Sequence, residues 1–389
     1  MTHDVTRLGF ICPSSNTAFE PAAWALLAGR ASMHVTRVAV THIALGPDSD
    51  DQFDVTGMEA AARLLAEARV DVVAWAGTSG SWLGVDRERA LCDALSAAAG
   101  VPATTSTLAV LEACRAYGVT RLGLVSPYTA DVSASIANEL SRNGIEVVNE
   151  QHRGLTTNFD FASVGQAEVS SMITAASGGA HAVTVMCTNM DGVAPAARAG
   201  AQLGIPVFDS IGATVWHAAD LAGDRAPIPA LGELGVSGQL RARMQAITER
   251  LRHQTGGDRT TLRIDVPAAG CAVGTCAAES HGPSARSIRR DATLPQRDLD
   301  TVRWIEEHRR PLVQPDFANA PQPPQALVDV YGVRAQMLAP VLHGGDMVGW
   351  LSVHSLTERA WTDADQLATE VAARDTEALL AASPNLVTV

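Results

Sequence analysis

Trp75-Ala76-Gly77-Thr78-Ser79 and Val185-Met186-Cys187-Thr188-Asn189 are one pattern written twice. In each, a β-branched apolar run (Val70–Ala76, Ala182–Met186) stops at a Gly or Cys, and two small polar residues follow. Helical periods come next, Val85–Ala99 and Ala194–Leu203, and each ends at a Gly-x-Pro joint, Gly100-Val101-Pro102 and Gly204-Ile205-Pro206. The joints introduce short extended segments, Val101–Thr104 and Ile205–Phe208. Strand, polar turn, helix and strand in that order make a βα unit of a mostly parallel sheet. The repetition implies two similar α/β halves facing each other.

The rest of the first 220 or so residues extends the alternation. Leu8–Cys12, Val38–Ile43, Arg121–Val125 and Glu146–Val148 read as further strands. Met58–Ala68, Leu108–Tyr117, Ala130–Asn143 and Ala167–Ala176 read as further helices. After about Ala222 the composition changes: Gly223–Pro229 and Pro267–Gly274 are rich in Gly, Pro and Ala and flank a helical pattern over Gly238–Arg252. A strand at Thr261–Val266, a helix at Asp298–Glu307, strand runs Ala335–Leu342 and Met347–Val353 around His343-Gly344-Gly345-Asp346, and a helix Asp363–Ala382 follow. A Gly-Gly pair between two apolar runs is a hairpin signal. The fold class expected is therefore α/β, two pseudo-symmetric halves over residues 1–225, followed by a separate α+β domain over residues 235–385.

Bulk properties narrow the function. A chain of 389 residues exceeds the usual growth of one core, and 47% apolar with 18% charged residues is ordinary globular usage. A net charge of -13 without a basic stripe argues against a nucleic-acid partner. No apolar run reaches the ~20 residues of a membrane span, and Met1–Thr6 has no signal pattern, so no membrane association and a cytoplasmic location are expected. The six cysteines then read as reduced thiols, with Cys92 and Cys114 inside helical patterns as core residues. Scattered His residues and the isolated Cys271 and Cys276 give no metal set, and no phosphate-binding fingerprint is present. No metal and no cofactor are expected.

Chemistry is expected beyond the carboxyl ends of the strands, where open α/β sheets bind ligands. Four polar clusters follow strands and introduce helices: Pro13–Thr17, Gly77–Gly80, Ser126–Thr129 and Cys187–Asn189. Free amides and the helix dipole suit an anion there, and a carboxylate is the natural guest. Ser, Thr and Asn at such joints are also ordinary helix caps, a reading open for each cluster taken singly. A strand-end thiol before a helix N-terminus can have its pKa lowered and can exchange a proton at carbon, which singles out Cys187.

The ordered motifs resemble a known family. Leu8-Gly9-Phe10-Ile11-Cys12-Pro13-Ser14-Ser15-Asn16-Thr17 resembles the opening of the maleate cis-trans isomerases. Gly77-Thr78-Ser79, Val101–Thr105, Tyr117–Arg121 and Tyr128 resemble segments of the arylmalonate decarboxylases. Both belong to the aspartate/glutamate racemase superfamily, and the resemblance spans about Thr6–Gly223. It implies two flavodoxin-like halves and, typically, a pair of cysteines, one from each half, on opposite faces of the substrate. Here Cys187 is the second, while Gly77 stands where the first would be. Gly in the first half with a single Cys in the second is the decarboxylase pattern.

Carried over, it implies that Thr78, Ser79, Tyr128 and the backbone of Thr188 hold one carboxylate and stabilise an enediolate. Cys187 would then protonate one face of the carbon. Asn16 is read as a carboxylate donor, as in the isomerases, rather than a cap, and Asn189 as a further polar contact. Asn16, Asn189, Gly80 and Trp82 depart from a site built for an aryl group and point to a small polar dicarboxylate. The alternatives are an isomerase or racemase with another group in place of the first thiol, and a carboxylate sensor without turnover.

The C-terminal stretches Arg309–Asp316, Gly332–Val341 and Met347–His354, with the final helix, resemble a GAF domain. That resemblance implies dimerisation or small-ligand binding, and a homodimer through this domain is the expectation.

Overall fold

The computed structural model describes residues 5–46 and 51–383. The chain divides into two compact units. The first runs to Val236 apart from Arg115–Gly118, and the second is Ser237 onward together with that short segment.

In the first unit, β1 (Thr6–Pro13), α1 (Phe19–Leu27), β2 (Ala31–Val38), α2 (Val55–Glu67), β3 (Val72–Trp75), α3 (Gly80–Leu83), α4 (Val85–Ala99) and β4 (Ala103–Thr105) form one half. Its sheet has the order β2-β1-β3-β4, every pair parallel. After α5 (Ser106–Tyr117) the pattern returns as β5 (Arg121–Ser126), α6 (Ala130–Arg142), β6 (Glu146–His152), α7 (Gln166–Ala176), β7 (Ala182–Val185), α8 (Val193–Leu203), β8 (Val207–Asp209) and α9 (Ser210–Leu221). The second sheet is β6-β5-β7-β8, again all parallel. The two halves are therefore topological copies, as the repeated pentapeptides imply. β3 and β7 are buried at every position, which is why they read as unbroken apolar runs.

Sequence and structure part at several elements, short ones such as α3 and three longer ones of the first unit among them. The second strand is Ala31–Val38, not Val38–Ile43. As a half-exposed edge strand carrying His34, Thr36 and Arg37, β2 shows too little apolar alternation to be picked out, whereas Val38–Ile43 is apolar because it is tied down in another way. There, Ser15 Oγ donates to the carbonyl of Val40 at 2.6 Å and the amide of Ile43 to that of Thr156 at 2.8 Å. Helices α1 and α9 have no counterpart in the sequence reading. α9 is buried almost all round and so lacks a polar stripe to mark its period.

The second unit begins with α10 (Glu233–Thr255) and contains β9 (Arg259–Ile264), β10 (Ala278–His281), α11 (Asp300–His308), β11 (Leu312–Gln314), α12 (Gln325–Asp329), β12 (Ala335–His343), β13 (Asp346–Ser355) and α13 (Asp363–Ala381). Its sheet, β10-β9-β13-β12-β11, is antiparallel throughout. The hairpin β12–β13 closes with His343 opposite Asp346, and Gly344 and Gly345 between them take φ of +60° and +93°, a left-handed pair that suits glycine. Leu240, Met244, Ile247 and Leu251 form one stripe of α10 and pack with Leu262, Ile264, Leu351 and Val353 of the sheet. α13 starts in a capping box between Thr362 and Asp365.

Candidate active site

The site lies where the carboxyl ends of β1, β3, β5 and β7, the central strands of the two sheets, meet. Each strand stops after its last buried apolar residue and delivers one polar cluster to this place. The amide Nδ2 of Asn16, after β1, donates to Thr188 Oγ1 at 3.2 Å, and that hydroxyl donates to the carbonyl of Ala76 at 2.8 Å. Residues 172 positions apart, from different halves, are thus in direct contact with the loop after β3. Thr78 Oγ1 and the Tyr128 hydroxyl are 2.9 Å apart, linking the β3 and β5 clusters. Asn189 Oδ1 accepts from the amides of Thr17 and Ala18 at 2.8 and 3.1 Å, while its Nδ2 donates to the carbonyl of Asn158. All these side chains except Thr17 and Ala18 are buried.

Cys187 is 2% exposed, and the Tyr128 hydroxyl hydrogen-bonds to it. The amide of Asn189 points at its Sγ from 3.4 Å. The thiol nevertheless does not move down, as a helix N-terminus would make it. Burial pushes it up to about 12, outweighing the bonds from Tyr128 and Asn189. The reason is distance: α8 begins only at Val193 behind Gly192, and a dipole acts mainly within the first turn of its helix. Cys187 is therefore a protonated thiol at neutral pH. Tyr128 is likewise held neutral, its phenol raised well above 10 by burial and then by the neighbouring Cys187.

After β3, at the position that corresponds to Cys187 after β7, Gly77 bears no side chain, and the space beside it is filled from within the strand. A Cβ on Gly77 would stand 2.4 Å from Cε2 and Cζ2 of Trp75. The indole is fully buried, and its Nε1 donates to Ser79 Oγ at 3.1 Å. Ser79 Oγ in turn donates to Glu88 Oε1 at 3.1 Å, which also accepts the amide of Gly80 at 2.6 Å. The Ser79 hydroxyl is thus engaged toward α4, and what it could offer a substrate is its main chain. Gly80 is glycine because a Cβ there would fall 1.6 Å from Cγ of Glu88. Burial raises the Glu88 carboxyl to about 7. Trp82 meets Tyr128 edge-on at 5.3 Å, and Phe161 does the same at 5.3 Å.

Of the residues singled out from sequence, Gly77, Thr78, Tyr128, Cys187, Thr188, Asn16 and Asn189 converge. Asn16 takes the cap role that the sequence reading set second to carboxylate binding. Its Oδ1 caps α1 by accepting from Ala18 and Phe19 at 3.1 and 2.9 Å, and its Nδ2 faces the second half. Cys92 and Cys114 lie on α4 and α5, away from the strand ends. Three residues that shape the site go unmarked in the sequence reading. Trp75 hides inside an apolar run, and Glu88 sits between Arg87 and Arg89 like any surface helix acid. Asp209, buried and raised by that burial to about 8, caps α9 by accepting from Gly212 at 2.9 Å. Its Asp-x-x-Gly spacing was the one available signal. Among the described residues, no group of three or more His, Cys, Asp or Glu is placed to hold a metal. None of their helices is long and apolar enough to cross a membrane.

The family described as arylmalonate decarboxylase matches residues 8–234, and the GAF domain family matches residues 239–379. The chain is 31% identical to arylmalonate decarboxylase of Bordetella bronchiseptica over 178 residues, 44% of this chain and 74% of that protein. It is 24% identical to maleate isomerase of Geobacillus stearothermophilus over 249 residues, 59% of this chain and 96% of that protein. Among solved structures, maleate isomerase Iso from Pseudomonas putida S16 superposes with a TM-score of 0.55 at 24% identity, over 60% of this chain and 98% of that one. A liganded arylmalonate decarboxylase mutant, with a glycine changed to cysteine and a cysteine to serine, superposes with a TM-score of 0.53 at 25% identity, over 57% and 95%. The chain belongs to the arylmalonate decarboxylase family, with a GAF domain following that family's α/β fold.

Proposed function

We propose that the first unit is a cofactor-independent lyase that decarboxylates a small substituted malonate or similar dicarboxylic acid. The observation that carries this reading is the difference between the two corresponding strand ends: a buried, protonated Cys187 thiol after β7 and, after β3, Gly77 backed by the Trp75 indole. Two-base racemisation needs an acid and a base on opposite faces, and nucleophilic isomerisation needs a thiolate. A lone thiol held in its neutral form is suited to giving a proton to a strongly basic carbon. The glycine and cysteine exchanged in the liganded decarboxylase mutant are the same two residue types.

In the proposed reaction one carboxylate rests against Thr78, Tyr128 and the Thr188 main chain. The bond from the α-carbon to the other carboxylate breaks, carbon dioxide leaves, and the electron pair passes into an enediolate on the retained carboxylate. The Thr78 hydroxyl and the neutral Tyr128 phenol, which are 2.9 Å from each other, would turn their donors to that charge. The S–H bond of Cys187 then breaks as the C–H bond forms on one face, and solvent returns the proton to the thiolate. The partner proposed for the C-terminal domain is a second copy of the chain, with exposed Leu367 and Val371, one turn apart on α13, as apolar contacts. Sedimentation of the Leu367→Glu, Val371→Glu variant as a dimer indistinguishable from wild type would remove that face from consideration.

Carbon dioxide release from a panel of substituted malonates tests the reaction. Turnover by wild type and its loss in Cys187→Ala are expected. No wild-type turnover, or full turnover in the variant, would overturn it. Conversion of maleate to fumarate, or α-deuterium exchange with racemisation, in place of carbon dioxide release would move the assignment to an isomerase. Tight dicarboxylate binding without any turnover would move it to a sensor.

A further inference from the structure

Ser79 stands at the start of α3, and a serine there ordinarily caps its own helix. Here it does not: its side chain makes no bond to the amides of α3. The Ser79 hydroxyl accepts from the Trp75 indole and gives its own proton to Glu88. The first amide of α3, that of Gly80, donates instead to Glu88 Oε1 at 2.6 Å. A carboxyl on α4, eight positions further along the chain, thus replaces the local cap.

This carboxyl is committed to the turn. Glu88 is buried, and the cations beside it go elsewhere: Arg87 donates to the carbonyl of Phe53 at 3.3 Å and Arg89 to Asp86 at 2.7 Å. A buried carboxyl is costly unless donors meet it. Those it meets are Ser79, Gly80 and the Thr105 hydroxyl at the end of β4. The close approach of Gly80 to the Glu88 side chain, which leaves no room for a Cβ, fits the same arrangement. α4 is itself anchored at this end, because the amide of Val85 donates to Glu139 Oε1 of α6 at 2.9 Å. Behind the turn, Phe53, Met58, Leu83 and Leu91 line a small cavity and offer no side-chain acceptor in place of Glu88.

Thr78 lies inside the segment so held. On one side the carbonyl of Ala76 accepts from the Thr188 hydroxyl at 2.8 Å, and on the other the carbonyl of Thr78 accepts from Ser81 Oγ at 2.7 Å. Next to it the Gly80 amide is taken by Glu88, and the Thr78 hydroxyl stays 2.9 Å from that of Tyr128. A donor stabilises developing charge only as far as it is fixed beforehand. We infer that Glu88 is a positioning residue: by the reach of its side-chain oxygen, and not by its charge, it fixes the Thr78–Gly80 turn that faces the enediolate. The chemical part of this inference rests on the decarboxylase reading; the clamp on the turn does not.

Two variants of the full chain separate reach from charge. Glu88→Gln keeps an oxygen at the same distance, and since burial raises the carboxyl to about 7, the amide copies its neutral form. Glu88→Asp keeps the charge and draws the oxygens back by one methylene. With methylmalonate, kcat for carbon dioxide release should fall at least about tenfold in Glu88→Asp, with KM within about threefold, while Glu88→Gln keeps about half or more. Labelling with nitrogen-15 glycine and carbonyl-carbon-13 serine selects the amides of Gly80, Gly178 and Gly238, which follow serines. Hydrogen exchange at Gly80 should be at least about tenfold faster in Glu88→Asp than in wild type or Glu88→Gln, with Gly178 and Gly238 unchanged. If Glu88→Asp does not fold, Glu88→Met, of similar volume and without the acceptor, takes its place. Equal Gly80 exchange in all forms, full turnover in Glu88→Asp, or a loss in Glu88→Gln as large as in Glu88→Asp would each overturn the inference. A wild type that decarboxylates no substituted malonate removes the decarboxylase reading, and the exchange rates then decide the clamp by themselves.

Discussion

Gly77→Cys, the substitution that would restore a thiol to the first half, is expected to unsettle the protein before it adds any chemistry. The new Cβ would lie 2.4 Å from two ring carbons of Trp75 and 2.7 Å from its Nε1, so the indole has to move. Trp75 is fully buried between β1 and β4 neighbours and cannot move freely. Overpacking of this kind costs about 1–3 kcal/mol. Swinging the ring also breaks its bond to Ser79, a buried pair whose loss costs about 1–3 kcal/mol more. The sum is about 4 kcal/mol against the first unit.

Urea unfolding should be followed by tryptophan fluorescence and fitted as two transitions, because the chain has two compact units. With an m-value of about 2 kcal/mol per molar, the transition of the first unit should fall by about 2 M. In a Trp75→Phe background the outer ring and the Nε1–H are gone, and the added cost of the cysteine should shrink by at least about 1 kcal/mol. A Gly77→Cys protein as stable as wild type, or an equal cost in both backgrounds, would refute the idea that Trp75 occupies the place of the first-half side chain.

Other outcomes follow from the same geometry. Tyr128→Phe removes the hydroxyl that bonds to both Thr78 and Cys187 and should lower kcat about 100-fold with little change in KM, measured as carbon dioxide release. Since burial holds the Cys187 thiol near 12, kcat/KM should show no alkaline fall attributable to it up to about pH 9; a fall near pH 8 that vanishes in Cys187→Ser would contradict this.

Glu88, raised from 4.5 to about 7, takes its proton more tightly folded than unfolded. Its contribution to stability is thus fully present below about pH 4.5 and lost as pH rises through about 7, roughly 3 kcal/mol in all. Glu88→Gln should therefore become more stable relative to wild type between pH 5 and pH 7.5, and a constant difference would be the contrary result. Asn189→Ala leaves the amide of Thr17 and the carbonyl of Asn158 unpaired, the amide of Ala18 keeping Asn16 Oδ1, and should destabilise the first unit by about 2 kcal/mol in urea.

The sequence by itself determined the architecture and the address of the site. Two unbroken apolar runs ending in small polar residues, each followed by a helix and a Gly-x-Pro joint, specify paired parallel half-sheets because buried strands and turn residues leave a local imprint. The Gly344-Gly345 hairpin was legible for the same reason: left-handed backbone requires glycine. Edge strand β2 and the all-round buried helix α9 were not legible, since their character comes from which neighbours cover them.

The site divides in the same way. That Cys187 and Gly77 hold corresponding positions could be read from the repeat. That the thiol is held protonated could not, because the same residue type beside a helix start moves down when the dipole is near and up when water is excluded. Only the packed structure sets that balance, through the late start of α8 at Val193 and the full burial of the strand end. Likewise, nothing local distinguishes Trp75 or Glu88 from a core tryptophan and a surface acid. Their place beneath the Gly77–Gly80 loop exists only once β3, α3 and α4 have closed around them, because burial and charge compensation are properties of the assembled interior.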